Sequence, residues 1–270
     1  MHALRATGAA PDCKKCFHDV SLLVQQIDRI INPVEVHKAN PARYPHLLQS
    51  TANGRYDILF AFPGDSLRLE NDGKLHLPGE TAPLRGDFLE HFDDWWAEHQ
   101  STVSEKVDLP FSGGWFVFLA YELAAQIEPS LKLQAATSAL PVAIATRFRT
   151  AVIVDHEQGV TFIVGEQDQQ SSVKRILADI RALPPQQVNA VAQIAVEKVH
   201  EDAPQKYLDA VTRIKDYIHE GDVFQVNLSR LWRIHLQQAI DAALLYDNLG
   251  IHNPSPFSGL ANWPDAAIIS

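Results

Sequence analysis

Apolar residues recur along this chain in two rhythms, one helical and one alternating, and the changes between them divide it into elements. In residues 17–32, Val20, Leu23, Ile27, Ile30 and Ile31 fall at helical spacing, and Asn32-Pro33 would end that helix. A β-rich stretch follows. Residues 44–49 read as a strand, Asn53-Gly54 as a turn, and 56–62 as a nearly continuous apolar strand of the kind buried on both faces. Residues 67–77 read as a hairpin whose tip, Asn71-Asp72-Gly73, supplies the positive φ of a tight turn. Residues 84–98 carry Leu84, Phe88, Phe92 and Trp95 on one helical stripe, which leaves Glu90, Asp93 and Asp94 on a solvated face. Residues 111–123 open with Ser112-Gly113-Gly114 and continue as a buried apolar element, the glycines permitting close backbone approach. A second hairpin spans 143–165 around its turn at 156–159, and a helix over 171–183 stops at Pro184-Pro185.

Residues 184–198 have little periodicity and read as a linker. Beyond it, Pro204 sits in a first helical turn. Tyr207, Ala210, Val211, Ile214, Tyr217 and Ile218 then share one face, and Gly221 is the stop. Residues 223–236 alternate: Phe224, Val226, Leu228, Trp232, Ile234 and Leu236 face one way, Gln225, Asn227, Ser229 and His235 the other, which predicts a strand with one polar face. A helix over 239–249 ends at Gly250, and an apolar run over 266–269 reads as a strand just begun. Many strands, several in hairpins, with interspersed helices and no regular βαβ alternation, predict an α+β fold of largely antiparallel sheets with flanking helices. The expected organisation is a flexible leader at 1–16, an N-terminal domain at 17–190 and the start of a second domain at 199–270.

Composition narrows the function. With 46% hydrophobic and 21% charged residues the chain is that of an ordinary globular protein. Its formal charge of −10 makes nucleic acid a poor partner, and obliges any anionic substrate to find a local basic or N–H-rich site. Apolar runs are too short for a membrane helix and no signal peptide pattern opens the chain, so it reads as cytoplasmic. Cys13 and Cys16 lack both the strand-helix context of a redox pair and the further ligands of a zinc site, and read as two reduced thiols.

Glycine-rich phosphate loops, zinc-protease helices and nucleophile elbows are all absent. What remains is the polar face of 223–235. Uncharged side chains that donate and accept would suit the floor of a small-molecule site, yet a strand with one wet side is the commoner arrangement, and the residues alone leave both readings open.

A resemblance adds to this. Gly221-Asp222-Val223-Phe224-Gln225-Val226-Asn227-Leu228-Ser229 is similar to the opening of the chorismate-binding domain shared by anthranilate synthase component I, aminodeoxychorismate synthase component I and isochorismate-type enzymes. Asn253-Pro254-Ser255-Pro256-Phe257-Ser258 resembles the family's Asn-Pro-x-Pro-aromatic motif. Leu47-Leu48-Gln49-Ser50 with Gly54-Arg55-Tyr56-Asp57-Ile58, and Gly113-Gly114-Trp115 through Tyr121-Glu122-Leu123, resemble its N-terminal domain. The branches that add water carry a general-base Lys where this chain has Gln225, which cannot take a proton, so the resemblance is to the branches that add ammonia. Pro256-Phe257-Ser258, against the usual Pro-Tyr-Met of anthranilate synthases, and Gln49, against their usual Glu, look like the aminodeoxychorismate branch.

The resemblance implies an anthranilate synthase component I-like fold, incomplete at the C-terminus. It implies amination of chorismate to 4-amino-4-deoxychorismate for folate synthesis, with ammonia from a glutamine amidotransferase subunit, component II. Gln225 would form one wall of the active site, with Asn227 and Ser229 against the substrate. The family's nucleophilic Lys and its Mg²⁺-binding glutamates would lie past Ser270, leaving this chain without metal ligands and inactive alone. L-tryptophan would be bound by Ser50, Asn53, Gly54, Arg55 and Tyr56 on one side and Pro256, Phe257 and Ser258 on the other. The alternatives are anthranilate synthase component I and, in a different class, a non-catalytic tryptophan- or partner-binding remnant.

Overall fold

The computed structural model describes residues 18–50, 54–99, 101–103, 108–133, 139–184 and 193–270. The proposed leader with Cys13 and Cys16, Asn53, and most of the linker lie outside the described residues. The described residues open with strands where helical spacing predicts a helix. β1 (His18–Val20) pairs in parallel with residues 101–103, and β2 (Leu22–Ile27) lies antiparallel to residues 161–166. Val, Leu and Ile suit a strand as well as a helix, and a partner that supplies a full ladder decides between them. Asn32-Pro33 starts a helix instead of ending one. α1 (Pro33–Ala39) has proline in its first turn, and the Asn32 side chain accepts the Val34 N–H at 3.0 Å.

The hairpins follow the expected turn chemistry. After β3 (His46–Gln49) comes β4 (Tyr56–Leu69), then β5 (Leu75–His76), with Gly73 at φ 78° in the turn between the last two. α2 (Phe88–Glu98) starts where the Asp87 carboxylate accepts from Leu89 and Glu90. β6 (Ser101–Val103) is the partner of β1, and β7 (Gly114–Leu119) leads through a 3₁₀ turn to the short α3 (Ala124–Ile127). β8 (Ala143–Asp155) and β9 (Val160–Glu166) form the second hairpin, followed by α4 (Gln170–Ala182). β10 (Val196–Glu201) precedes α5 (Pro204–Glu220), which Gly221 ends at φ 84°. β11 (Trp232–Leu236), α6 (Ala242–His252), β12 (Ser258–Asn262) and β13 (Ala267–Ile269) complete the chain. α6 runs through Gly250 and stops at Asn253, because Pro254 cannot continue it. Among the described residues no helix is long and apolar enough to cross a membrane.

β4 and β8 are the spine. They pair from Tyr56 opposite Asp155 to Leu69 opposite Ala143, with a register shift between Pro63 and Ser66. On one side of that shift the sheet runs β13-β12-β3-β4-β8-β9-β2, antiparallel throughout; on the other, β5 and β7 take the outer edges. One core lies beneath α1, α4 and α6, where Leu47, Leu59, Val152, Ile163, Ile176 and Leu260 are fully buried. A second joins Phe88 of α2 to Leu67, Leu75 and Leu123. β12 and β13, from beyond residue 199, thus belong to the same sheet as β3. The Lys38 ammonium donates to Asp247 at 2.6 Å and ties α1 to α6.

The alternation of 223–236 yields a strand only at 232–236. There β10 supplies an antiparallel partner, whereas residues 223–231 are irregular. Alternation fixes which side chains share a face, but a strand also needs a ladder, and β10 reaches only the second half. Phe224 is 95% exposed and Trp232 54%, so the apolar face is not buried among the described residues.

His46 sits where β3 meets the spine, 2% exposed, stacked on Phe116 with ring centroids 4.1 Å apart. Burial, with the nearby His37 adding to it, pushes its imidazole down to about 3. The folded chain therefore refuses a proton that the unfolded chain accepts below about 6.5. Stability from this residue is complete above that value and falls as pH drops toward 3, by about 1.4 kcal/mol per unit, or about 2 kcal/mol at pH 5. Urea unfolding between pH 7 and 5 is expected to show this slope, and His46→Phe to remove it. An unchanged slope in the variant would mean that other groups carry it.

Candidate functional site

The two segments that resemble an amino-acid site meet at one end of the large sheet. β12 pairs with β3 so that Ser258 faces Gln49, which sets Ser258 beside Ser50 although 208 residues separate them in sequence. Gly54 closes over the same point. A Cβ on Gly54 would lie 2.0 Å from the Ser50 Cβ, so only glycine fits. Arg55 donates to Asp155 through Nη2 at 3.0 Å and Nε at 3.2 Å, and its guanidinium lies 4.6 Å from the Tyr56 ring centroid. The Tyr56 hydroxyl donates to the Asp108 carbonyl at 3.4 Å. Pro256 and Phe257 lie on the surface, Phe257 at 88% exposure.

Behind these residues runs a polar relay centred on Asp57, which joins the motif residues Gln49 and Ser50 to His156 and Tyr246, outside the motifs. Asp57, 1% exposed, accepts from the Gln49 amide at 2.9 Å, from the Ser50 backbone N–H at 3.3 Å, and meets His156 Nε2 at 2.9 Å. The Gln49 carbonyl in turn accepts the Tyr246 hydroxyl at 3.0 Å. A helix beyond residue 240 is thereby connected through β3 and β4 to the turn after β8. Burial first, then the Asp57 and Asp247 carboxylates, raise the Tyr246 phenol, which stays a donor. Gln49 is fixed in orientation, because its oxygen must face Tyr246 and its nitrogen Asp57. Burial alone would raise the Asp155 carboxyl, but Arg55 and the backbone N–H groups of Gln158 and Glu157 outweigh it and hold it below the usual range.

Gln225, Asn227 and Ser229 lie exposed in the irregular stretch before β11, where the Gln225 amide donates to Asn227 at 3.3 Å. They stand on a loop rather than on the expected strand face. For Mg²⁺, among the described residues no group of three or more His, Cys, Asp or Glu gathers as ligands. The described residues do not make a metal site.

The family model for chorismate binding enzymes matches residues 44–270, and the chain belongs to this family. An anthranilate synthase component I-like protein of Synechocystis sp. is 28% identical over 166 residues, 60% of this chain and 33% of that protein. Aminodeoxychorismate synthase component 1 of Bacillus subtilis is 26% identical over 242 residues, 86% of this chain and 50% of that protein. The chain spans a third of the first relative's length and half of the second's. In fold it is similar to the crystal structure of anthranilate synthase component I from Streptococcus pneumoniae TIGR4, at a TM-score of 0.63 and 23% identity over 81% of this chain and 50% of that one. The expected anthranilate synthase component I-like architecture, antiparallel sheets with flanking helices, is borne out.

Proposed function

We propose that this chain serves chorismate amination in the aminodeoxychorismate branch, as part of a component I that forms 4-amino-4-deoxychorismate with ammonia from a separate glutaminase subunit. The observation that carries the choice of branch is the setting of Gln49. Its amide bridges Tyr246 and the Asp57 carboxylate. A glutamate there, as anthranilate synthases usually have, would press a second carboxylate against Asp57 and lose the donor that satisfies it. The Bacillus subtilis relative, named for this activity, supports the reading. The Synechocystis relative favours the second reading, anthranilate synthase component I.

At the sheet end, this component I binds L-tryptophan. Phe257 offers an exposed aromatic face, Arg55 a cation for the ligand's carboxylate, and the Ser50 and Ser258 hydroxyls hydrogen-bonding groups for its polar end. Asp57 does not touch the ligand; it holds Ser50 and Gln49 in place. Gln225, uncharged, leaves proton removal to another group and acts in binding only.

Disrupting the gene in its source organism tests the branch. A requirement for para-aminobenzoate is the expected result. A requirement for tryptophan would transfer the chain to anthranilate synthesis, and growth without either supplement would leave the non-catalytic reading.

A further inference from the structure

At the opposite end of β3 from Ser50, where the spine shifts register between Pro63 and Ser66, the two halves of the sheet leave a cavity of about 500 Å³. Its walls come from both halves. Pro41, Pro45 and Pro63, with Pro264 from the turn between β12 and β13, line one part; Ser66 and Arg68 of β4 and Thr146 of β8 line another. Prolines have no N–H and a fixed φ, so this wall is apolar, rigid and preformed. The shift that opens the cavity is itself unusual. Phe62, beside Pro63, sits at φ 56°, a conformation that a bulky side chain rarely adopts. Its N–H donates to the Arg43 carbonyl at 2.7 Å and holds it there. Backbone held in a sparse region next to a cavity is a known mark of a ligand site.

The polar groups in the cavity are few and specific. Among the described lining residues Arg68 is the one ionised side chain, in a chain of net charge −10, and none of them is a carboxylate. Its Nε is taken by Glu70 at 3.0 Å, outside the lining, and its two Nη groups have no hydrogen-bond partner among the described residues. Ser66 and Thr146 are hydrogen-bonded to each other at 2.9 Å, and in such a pair one O–H always remains to donate elsewhere. Trp263 lines the cavity too, and its indole N–H is buried with no partner among the described residues. His46, in the same wall, is neutral and its Nδ1 is occupied by the Asn262 N–H at 3.3 Å. Rigid apolar walls, a flat aromatic, one cation and no acid match a ligand with a ring and a single carboxylate.

We propose that this cavity is a second ligand site, separate from the amino-acid site, which takes small cyclic carboxylic acids, their carboxylate on Arg68 and their ring against the prolines and Trp263. The site stands independently of the chorismate reading, since its argument uses neither Gln225 nor the Ser50–Ser258 end.

Benzoate is the probe, followed by the indole N–H resonance of Trp263, assigned with Trp263→Phe in ¹⁵N-labelled protein. Benzoate is expected to shift that resonance saturably. Benzamide, the neutral isostere, and inorganic phosphate, a free anion without a ring, are expected to bind at least tenfold more weakly. Arg68→Gln is expected to weaken benzoate at least tenfold and Arg68→Lys to restore part of it. Arg68 is part-exposed at the rim, so neither variant disturbs the core, and an unchanged near-UV circular dichroism spectrum verifies this. Phe257→Ala, at the other end of β3, is expected to leave benzoate binding unchanged. A resonance that does not move, benzamide or phosphate binding as well as benzoate, or full affinity in Arg68→Gln would each overturn the proposal.

Discussion

Asp57→Ala is expected to lower folding stability by about 2–5 kcal/mol, the cost of removing a buried acceptor that several donors share. The carboxylate is 1% exposed and satisfies the Gln49 amide, the Ser50 N–H and His156 at once. Alanine leaves the two part-buried donors, the Gln49 amide and the Ser50 N–H, without this acceptor and opens the space between β3, β4 and the turn after β8. Asp57→Asn keeps the shape but turns an NH₂ toward groups that donate, and is expected to cost about 1–3 kcal/mol. Gln49→Glu probes the same contact from the other side. It is expected to destabilise at pH 7 by setting a second carboxylate against Asp57. Urea unfolding reads all three. A loss under 1 kcal/mol for Asp57→Ala would mean that the relay is not a structural centre.

Phe148→Ala is expected to cost about 3–5 kcal/mol, as buried aromatic truncations do. Phe148 is fully buried on β8 at the level of the register shift, opposite Pro63, with its ring 5.4 Å from Phe60 and 5.6 Å from His46. It holds the two halves of the sheet together, and no neighbouring side chain of similar size can fill the gap without leaving its own place. In a domain of this size the loss corresponds to a fall of about 10 °C in Tm. A further consequence distinguishes the site from an ordinary core position. Removing the ring hydrates His46, so the stability slope between pH 7 and 5 is expected to flatten in the variant. Phe257→Ala, on a ring 88% exposed, is the control and is expected to stay within about 0.5 kcal/mol of the parent.

How much of this was legible in the sequence depended on whether the deciding interaction is local. The turns at Gly73, Gly159 and Gly221 were legible, because positive φ is a property of the residue itself. The strands at 18–27 were not. Their periodicity is compatible with a helix, and the deciding partners are distant: β6 for β1, and for β2 the strand β9, more than 130 residues away. The alternation over 223–236 was real, yet half of it forms no strand because a ladder partner is not encoded in the segment. The meeting of Ser50 with Ser258 came from family resemblance and could not have come from spacing. The role of Asp57 has a signal in the sequence: it is an acid inside the apolar run over 56–62, and a buried acid needs partners that the rest of the chain has to supply. Gln49 and Tyr246 supply part of that network, from residues 8 positions before Asp57 in sequence and 189 after it.

Calorimetric titration with L-tryptophan tests most directly the proposed binding of an amino acid at the end of the sheet that holds Ser50, Gly54, Arg55 and Ser258. The expected result is a single saturable site, weakened at least tenfold by Phe257→Ala with folding unaltered, and unchanged by Arg68→Gln at the far end of β3. Absence of saturable heat, or tryptophan bound as tightly by Phe257→Ala as by the parent, would contradict the placement of the site.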